Sequence, residues 1–213
     1  MINLPQAIFY DLDGTILNSA NEIMSAFQRA AKKNHIKIKK AKIKSSIGPS
    51  IEKILKKILI SDIPSYQYNK LISSFRKEYD TKLCTKSYLY PNVKTILGRF
   101  KQKGIYQFLI TNKPPKATEK IIQKHKLEKI FDQWHSSTAR QNKAHLVKKI
   151  ISQYKLQKSR CFYVGDSTDD FEAAEKNKIN FIAACYGYGL KYSKGATINI
   201  KNLNQLTLLI NSL

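Results

Sequence analysis

The chain has 213 residues, with 38 Lys and Arg against 15 Asp and Glu, for a formal net charge of +23. That length suits one domain with room for a modest insert, and 42% hydrophobic residues exclude a disordered or fibrous chain. The longest apolar run, Phe181 to Tyr186, falls far short of the roughly 20 residues of a membrane span. No basic region followed by an apolar stretch opens the sequence, and Cys84, Cys161 and Cys185 are too unevenly spaced for a disulfide framework or a zinc cluster. A cytoplasmic protein with no membrane partner is expected. The charge raises nucleic acid as a partner, but only five of the basic residues are Arg, the residue that leads in specific phosphate and base recognition. A solvated, lysine-rich surface is the simpler reading, and nucleic acid is not the expected partner.

In chain order, residues 7–10 (AIFY) form an apolar run that ends at DLDGT and predict a buried strand followed by a turn. Residues 19–88 carry no strand signal. Ile23, Met24, Phe27, Ala30 and Ala31 make one helical stripe. Ile51, Ile54, Leu55, Ile58 and Leu59 make a second, with Ser50 as N-cap, and Tyr68, Leu71, Ile72, Phe75 and Tyr79 make a third. The lysine-rich stretch 32–44 predicts a solvated helix end and loop. Val93, Ile96, Leu97 and Phe100 predict a helix after Pro91 that ends at Gly104. Further strands are predicted at 105–110, 161–164, 181–185 and 196–200, and a helix runs through Leu146, Val147, Ile150, Ile151 and Tyr154. Strands alternating with helices indicate an α/β fold: a Rossmann-like, three-layer core with a parallel sheet, and a small all-helical cap inserted after the first strand. The expected division is a core of residues 1–18 and 89–213 and a cap of residues 19–88.

Acidic residues are scarce and unevenly placed. Asp11 and Asp13 form one cluster, and Asp166, Asp169, Asp170, Glu172 and Glu175 another. Clustered carboxylates need a counter-ion, and a divalent cation is the natural one. Glu172 and Glu175 read as an exposed helix face, and Asp169 as a solvated neighbour. Asp11 and Asp13, two apart on an extended segment, are expected to point the same way, so that one can attack while the other moves protons. Gly14 permits the turn that follows, and Thr15 is a candidate cap. These motifs, with Thr111 and Gly165 to Asp170, all fall beside the carboxyl ends of predicted strands, the ligand-binding edge of an open α/β sheet.

Asp11-Leu12-Asp13-Gly14-Thr15 resembles the first motif of the haloacid dehalogenase superfamily, Thr111 in LITNK the second, Lys143 the third and GDSTDD (165–170) the fourth. The helical insert with SIGPSIEKIL (46–55), together with TNK, YPNV (90–93) and YGYG (186–189), is similar to the phosphoglycolate phosphatase-like subgroup. Here Ala144 follows Lys143 where that subgroup usually has proline, and Lys113, Lys148 and Lys149 are rivals for the same role. The resemblance implies a phosphatase with Asp11 as nucleophile and Asp13 as general acid and base. It implies Mg²⁺ held by Asp11, the Asp13 carbonyl and Asp166, with Asp170 behind them or holding Lys143. Gly14, Thr111, Asn112 and Lys143 would bind the phosphoryl group, and Ile47, Gly48 and Lys53 would face the leaving group. The implied partner is a small anionic phosphorylated metabolite (phosphoglycolate-like, a nucleotide or a sugar phosphate), met by a monomer or homodimer. Because Asp13 is present, phosphoryl chemistry is favoured over dehalogenation. Two alternatives remain: a sugar-phosphate mutase, whose basic cap motif is not evident, and a nucleic-acid-binding protein on the same scaffold.

Overall fold

A computed structural model describes residues 4–138 and 140–207. The chain enters through β1 (Ala7–Tyr10), turns, and forms the two-residue β2 (Leu17–Asn18). Three helices follow: α1 (Ala20–Lys33), α2 (Ile51–Ile58) and α3 (Ser65–Glu78). A π-helical turn over Tyr79–Leu83 continues α3. β3 (Tyr88–Leu89) then pairs antiparallel with β2, so the helical segment leaves and returns through one short ribbon. Beyond it come α4 (Val93–Gln102), β4 (Tyr106–Thr111), α5 (Pro115–His125), β5 (Gln133–Ser136) and α6 (Lys143–Gln153). The chain finishes with β6 (Cys161–Gly165), α7 (Thr168–Asn177), β7 (Asn180–Ala184) and β8 (Ile198–Ile200).

Six of these strands form one sheet in the order β5-β4-β1-β6-β7-β8, and every neighbouring pair is parallel. Side-chain alternation divides the core in two. Ile8, Tyr10, Leu109, Val164 and Ile182 pack towards α4 and α5, while Ala7, Phe9, Phe108, Ile110 and Tyr163 pack towards α6 and α7. Helices on both faces of a parallel sheet make the α/β, three-layer architecture that the strand–helix alternation predicts. In the helical segment, Phe27 of α1 stacks on Phe75 of α3 with ring centroids 4.1 Å apart, and Phe75 stacks on Tyr79 at 5.7 Å.

Several local expectations fail. β5 has no sequence signal, because QWHS is a half-buried edge strand without an apolar run. The expected boundary at residue 88 falls inside β3 (Tyr88–Leu89), a strand that only its pairing with β2 creates. Ser50 occupies the N-cap of α2 without a side-chain hydrogen bond, and the Thr15 hydroxyl is buried with no partner among the described residues. Neither therefore caps through its side chain. Side-chain caps do form at α6, where Asn142 Oδ1 accepts the His145 amide at 3.0 Å, and at α7, where Ser167 and Asp170 bond reciprocally in a capping box.

Candidate active site

The site lies at the carboxyl ends of the central strands, where each strand hands its chain to a loop. Asp11 follows β1, its amide donating to the Val164 carbonyl at 3.0 Å, and Asp166 follows β6. Thr111 ends β4, and Lys143 opens α6. Because the strands are parallel and adjacent, residues more than 130 positions apart in sequence meet side by side: Lys143 Nζ lies 2.6 Å from Asp11 Oδ1 and 2.7 Å from Asp170 Oδ1. All three side chains are buried. Asp170 Oδ2 accepts from the amide and hydroxyl of Ser167 at 3.0 and 2.6 Å, so both of its oxygens are committed.

Asp11 and Asp166 differ from Asp170 in this respect. Asp166 Oδ2 accepts from the amides of Tyr188 and Gly189 at 2.6 and 3.3 Å. Its Oδ1, and Asp11 Oδ2, are buried without a hydrogen-bond partner among the described residues. Carboxylate oxygens of Asp11, Asp166 and Asp170 lie within 4.8 Å of one another. A buried carboxylate oxygen left unpaired is costly, and a cluster of buried carboxylates that leaves two such oxygens suits a hard divalent cation. Their electrostatics agree. Burial pushes the Asp11 carboxyl well above the usual carboxylate range, Lys143 pulls it back, and the neighbouring aspartates push it further up. Burial, reinforced by Asp170, raises Asp166 to about 7 against the pull of the Tyr188 and Gly189 amides. Burial lowers the Lys143 pKa, but Asp11 and Asp170 more than offset this and hold the ammonium charged.

Glycines make the approach possible. Gly14 has φ +85, and a Cβ there would collide with the Asp166 carboxylate; a Cβ on Gly187 would meet the same side chain and sit 2.6 Å from the Gly14 carbonyl. Thr111 is buried, and its hydroxyl accepts the Lys113 amide at 3.1 Å, leaving its own proton to donate.

Asp13 does not stand alongside Asp11 as an extended pair. The chain bends at Leu12, and Asp13 takes a different cation: its Oδ2 lies 3.0 Å from Lys113 Nζ, and its Oδ1 accepts from the Ser19 hydroxyl at 2.5 Å. Asp13, Ile47, Gly48, Asn112 and Lys113 line a cavity of about 50 Å³ between the sheet edge and the helical segment.

Two expectations change. The Asn112 side-chain amide, expected on the phosphoryl group, donates to the Gly48 carbonyl at 2.9 Å and to Asp169 Oδ2 at 3.4 Å, while its Oδ1 accepts from Ser137 Oγ. It fastens the helical segment to the core. Lys53 does not line the cavity; its exposed ammonium pairs with Asp169 at 3.0 Å, which also makes Asp169 a bridge rather than a solvated neighbour.

Sequence reasoning missed four residues. Lys113 appeared only as a rival to Lys143, yet it is buried beside Asp13. Ser19 and Tyr79 carry no motif. Tyr188 sits in YGYG, and its hydroxyl accepts the Ser19 and Ala20 amides at 2.7 and 3.1 Å, capping α1 from across the fold. The Ser167–Asp170 box was legible as an S-x-x-D pattern.

Comparison with known proteins assigns the chain to a family. A family model described as haloacid dehalogenase-like hydrolase matches residues 8–184. A phosphoglycolate phosphatase of Vibrio cholerae serotype O1 is 27% identical over 198 residues, covering 87% of this chain and 84% of the relative. Two solved structures share the fold. A haloacid dehalogenase-like family hydrolase from Streptococcus pneumoniae superposes with a TM-score of 0.82 at 22% identity, covering 96% of this chain and 98% of that one. A predicted phosphatase from Clostridium acetobutylicum gives 0.86 at 21% identity, covering 99% and 100%.

Proposed function

The chain belongs to the haloacid dehalogenase-like hydrolase family and is a phosphoric monoester hydrolase, and from that premise we propose a Mg²⁺-dependent phosphatase that hydrolyses a small phosphomonoester through an aspartyl-phosphate on Asp11. The observation that carries the proposal is the buried cluster of Asp11, Asp166 and Asp170 beside the Lys143 ammonium, in which Asp11 Oδ2 and Asp166 Oδ1 have no hydrogen-bond partner among the described residues. Asp11, Asp166 and the Asp13 main-chain carbonyl would hold the ion, with Asp170 committed instead to Lys143 and Ser167. When bound, Mg²⁺ would offset the buried negative charge and help neutralise that of the phosphoryl group.

In this reading one carboxylate oxygen of Asp11 attacks phosphorus as the bond to the ester oxygen breaks, while the other would face the ion. Asp13 gives its proton to the leaving alkoxide, and afterwards takes one from the water that opens the acyl phosphate. Lys143, the Thr111 hydroxyl and the amides near Gly14 hold phosphoryl oxygens, where fixed donors act at full strength away from water. The helical segment 19–88 acts as a cap domain on a core of residues 1–18 and 89–213. Ile47 and Gly48 approach the leaving group, and the narrow cavity favours a short one, as in phosphoglycolate, over a nucleotide.

The test is phosphate release from a panel of phosphomonoesters with Mg²⁺, with Asp11→Asn as control. Hydrolysis of small esters that disappears in the variant, with radiolabelled phosphate trapped on wild type alone, is expected. Activity that survives in Asp11→Asn overturns the mechanism.

A further inference from the structure

Lys113 is one of two buried lysines at the site, and the reading above gives it no task. Its side chain is 4% exposed. Burying an ammonium costs several kcal/mol, which a single carboxylate repays only with good geometry. Here the geometry links three parts of the fold. Lys113 lies in the loop after β4, Asp13 in the loop after β1, and Tyr79 at the start of the π-helical turn that ends α3. Lys113 Nζ lies 3.0 Å from Asp13 Oδ2 and donates to the Tyr79 hydroxyl at 2.7 Å, with its charge 4.2 Å from the centroid of that ring. The other Asp13 oxygen accepts from Ser19. Both carboxylate oxygens are thereby pinned, one by the core and one by the residue that opens the helical segment.

Tyr79 is itself fixed. Its ring stacks on Phe75, which stacks on Phe27, so its place is set by the packing of α1 against α3. A displacement of that pair would move Tyr79, and with it the second hydrogen bond of Lys113. Catalytic groups misplaced by about 1 Å lose on the order of 10²-fold in rate, so a carboxylate that must meet a leaving oxygen needs such bracing.

We propose that Lys113 is a positioning residue for Asp13, and that Tyr79 makes its alignment depend on the seating of the helical cap. The inference rests on the role given to Asp13 above and adds how that carboxylate is held. Lys113 touches neither phosphorus nor the leaving group in this assignment; it acts through Asp13.

A leaving-group comparison separates this role from a merely structural one. An alkyl phosphate needs a proton on its departing oxygen, whereas p-nitrophenolate departs without one. The kcat/KM of Lys113→Met, Tyr79→Phe and Asp13→Ala is measured on both substrates with saturating Mg²⁺; kcat/KM reports the steps up to the first irreversible departure. Lys113→Met is expected to lose about 10²-fold on the alkyl ester and less than about 3-fold on p-nitrophenyl phosphate, matching Asp13→Ala in pattern. Tyr79→Phe, which removes one oxygen, is expected to show the same selectivity at about 3- to 10-fold; it carries the test should Lys113→Met fail to fold. Equal losses on both substrates in the Lys113 and Tyr79 variants, or no loss, overturn the inference. If Asp13→Ala alone is selective, the bracing is wrong and the role of Asp13 stands. If Asp13→Ala is not selective, both fall.

Discussion

Replacing Lys143 by Met keeps most of the apolar stem of the side chain and removes its charge from between Asp11 and Asp170, which it contacts at 2.6 and 2.7 Å. Breaking a buried ion pair from one side costs about 3–5 kcal/mol, because the remaining carboxylates are left charged in a dry place. The protein can escape part of that cost by protonating one of them. For a chain of this size a cost of about 3–5 kcal/mol corresponds to a fall in Tm of about 6–20 °C. The direction with pH follows. Without Lys143 nothing offsets the burial and the neighbouring aspartates that raise Asp11, so the folded variant binds protons more readily than wild type and its deficit shrinks as pH falls towards 5. Activity should drop by at least about 10²-fold, since a donor to the phosphoryl oxygens is lost and Asp11 is driven towards its unreactive protonated form. Urea unfolding at pH 5 and pH 7, with steady-state kinetics, measures all three. A variant as stable as wild type at pH 7, or a deficit that does not change with pH, would refute the argument.

Other consequences can be checked more briefly. Asp166 is raised to about 7 in the folded state, so without metal it lowers stability progressively as pH rises from about 4 to 7. Thermal melts in EDTA should therefore fall over that range, and Mg²⁺ should abolish most of the slope; equal slopes with and without metal would contradict the site. Gly187→Ala puts a methyl group into the Asp166 side chain and should cut kcat/KM by roughly 10²-fold while the fold, followed by circular dichroism, persists. Tyr188→Phe strips the hydroxyl from two amides at the start of α1 and should cost about 1–3 kcal/mol, yet leave kcat within about 3-fold because the Tyr188 main chain still holds Asp166. Lys53→Ala removes an exposed ion pair and should change stability by less than about 1 kcal/mol, with kcat/KM on small substrates within about 2-fold.

How much was legible depends on whether a signal is local. Ala7–Tyr10 and Cys161–Gly165 are short apolar runs that end at aspartates, and their strand character follows from composition alone. The fully buried inner strands of a parallel sheet need apolar residues on both faces, which is why they stand out and the half-buried edge strand Gln133–Ser136 does not. Asp11, Asp166 and Lys143 could be named in advance because each belongs to a motif at a strand end or helix start. The partners of Asp13 could not. Lys113 is one lysine in a lysine-rich chain, Tyr79 closes an ordinary apolar stripe, and nothing in either segment says that they meet.

By itself, then, the sequence determined the α/β class and marked the strand-end aspartates of the candidate site, because periodicity and strand-end motifs are properties of neighbouring residues. Only the tertiary structure decided which charges are paired and which are not. It committed both Asp170 oxygens, left one each on Asp11 and Asp166, turned Asp13 to Lys113 rather than to Lys143, and drew Asn112 and Lys53 into holding the helical segment. The physical reason is that a buried charge takes its state from whatever the fold packs against it, and beside local partners such as Ser19 and Ser167 the deciding contacts come from positions tens to more than a hundred residues away.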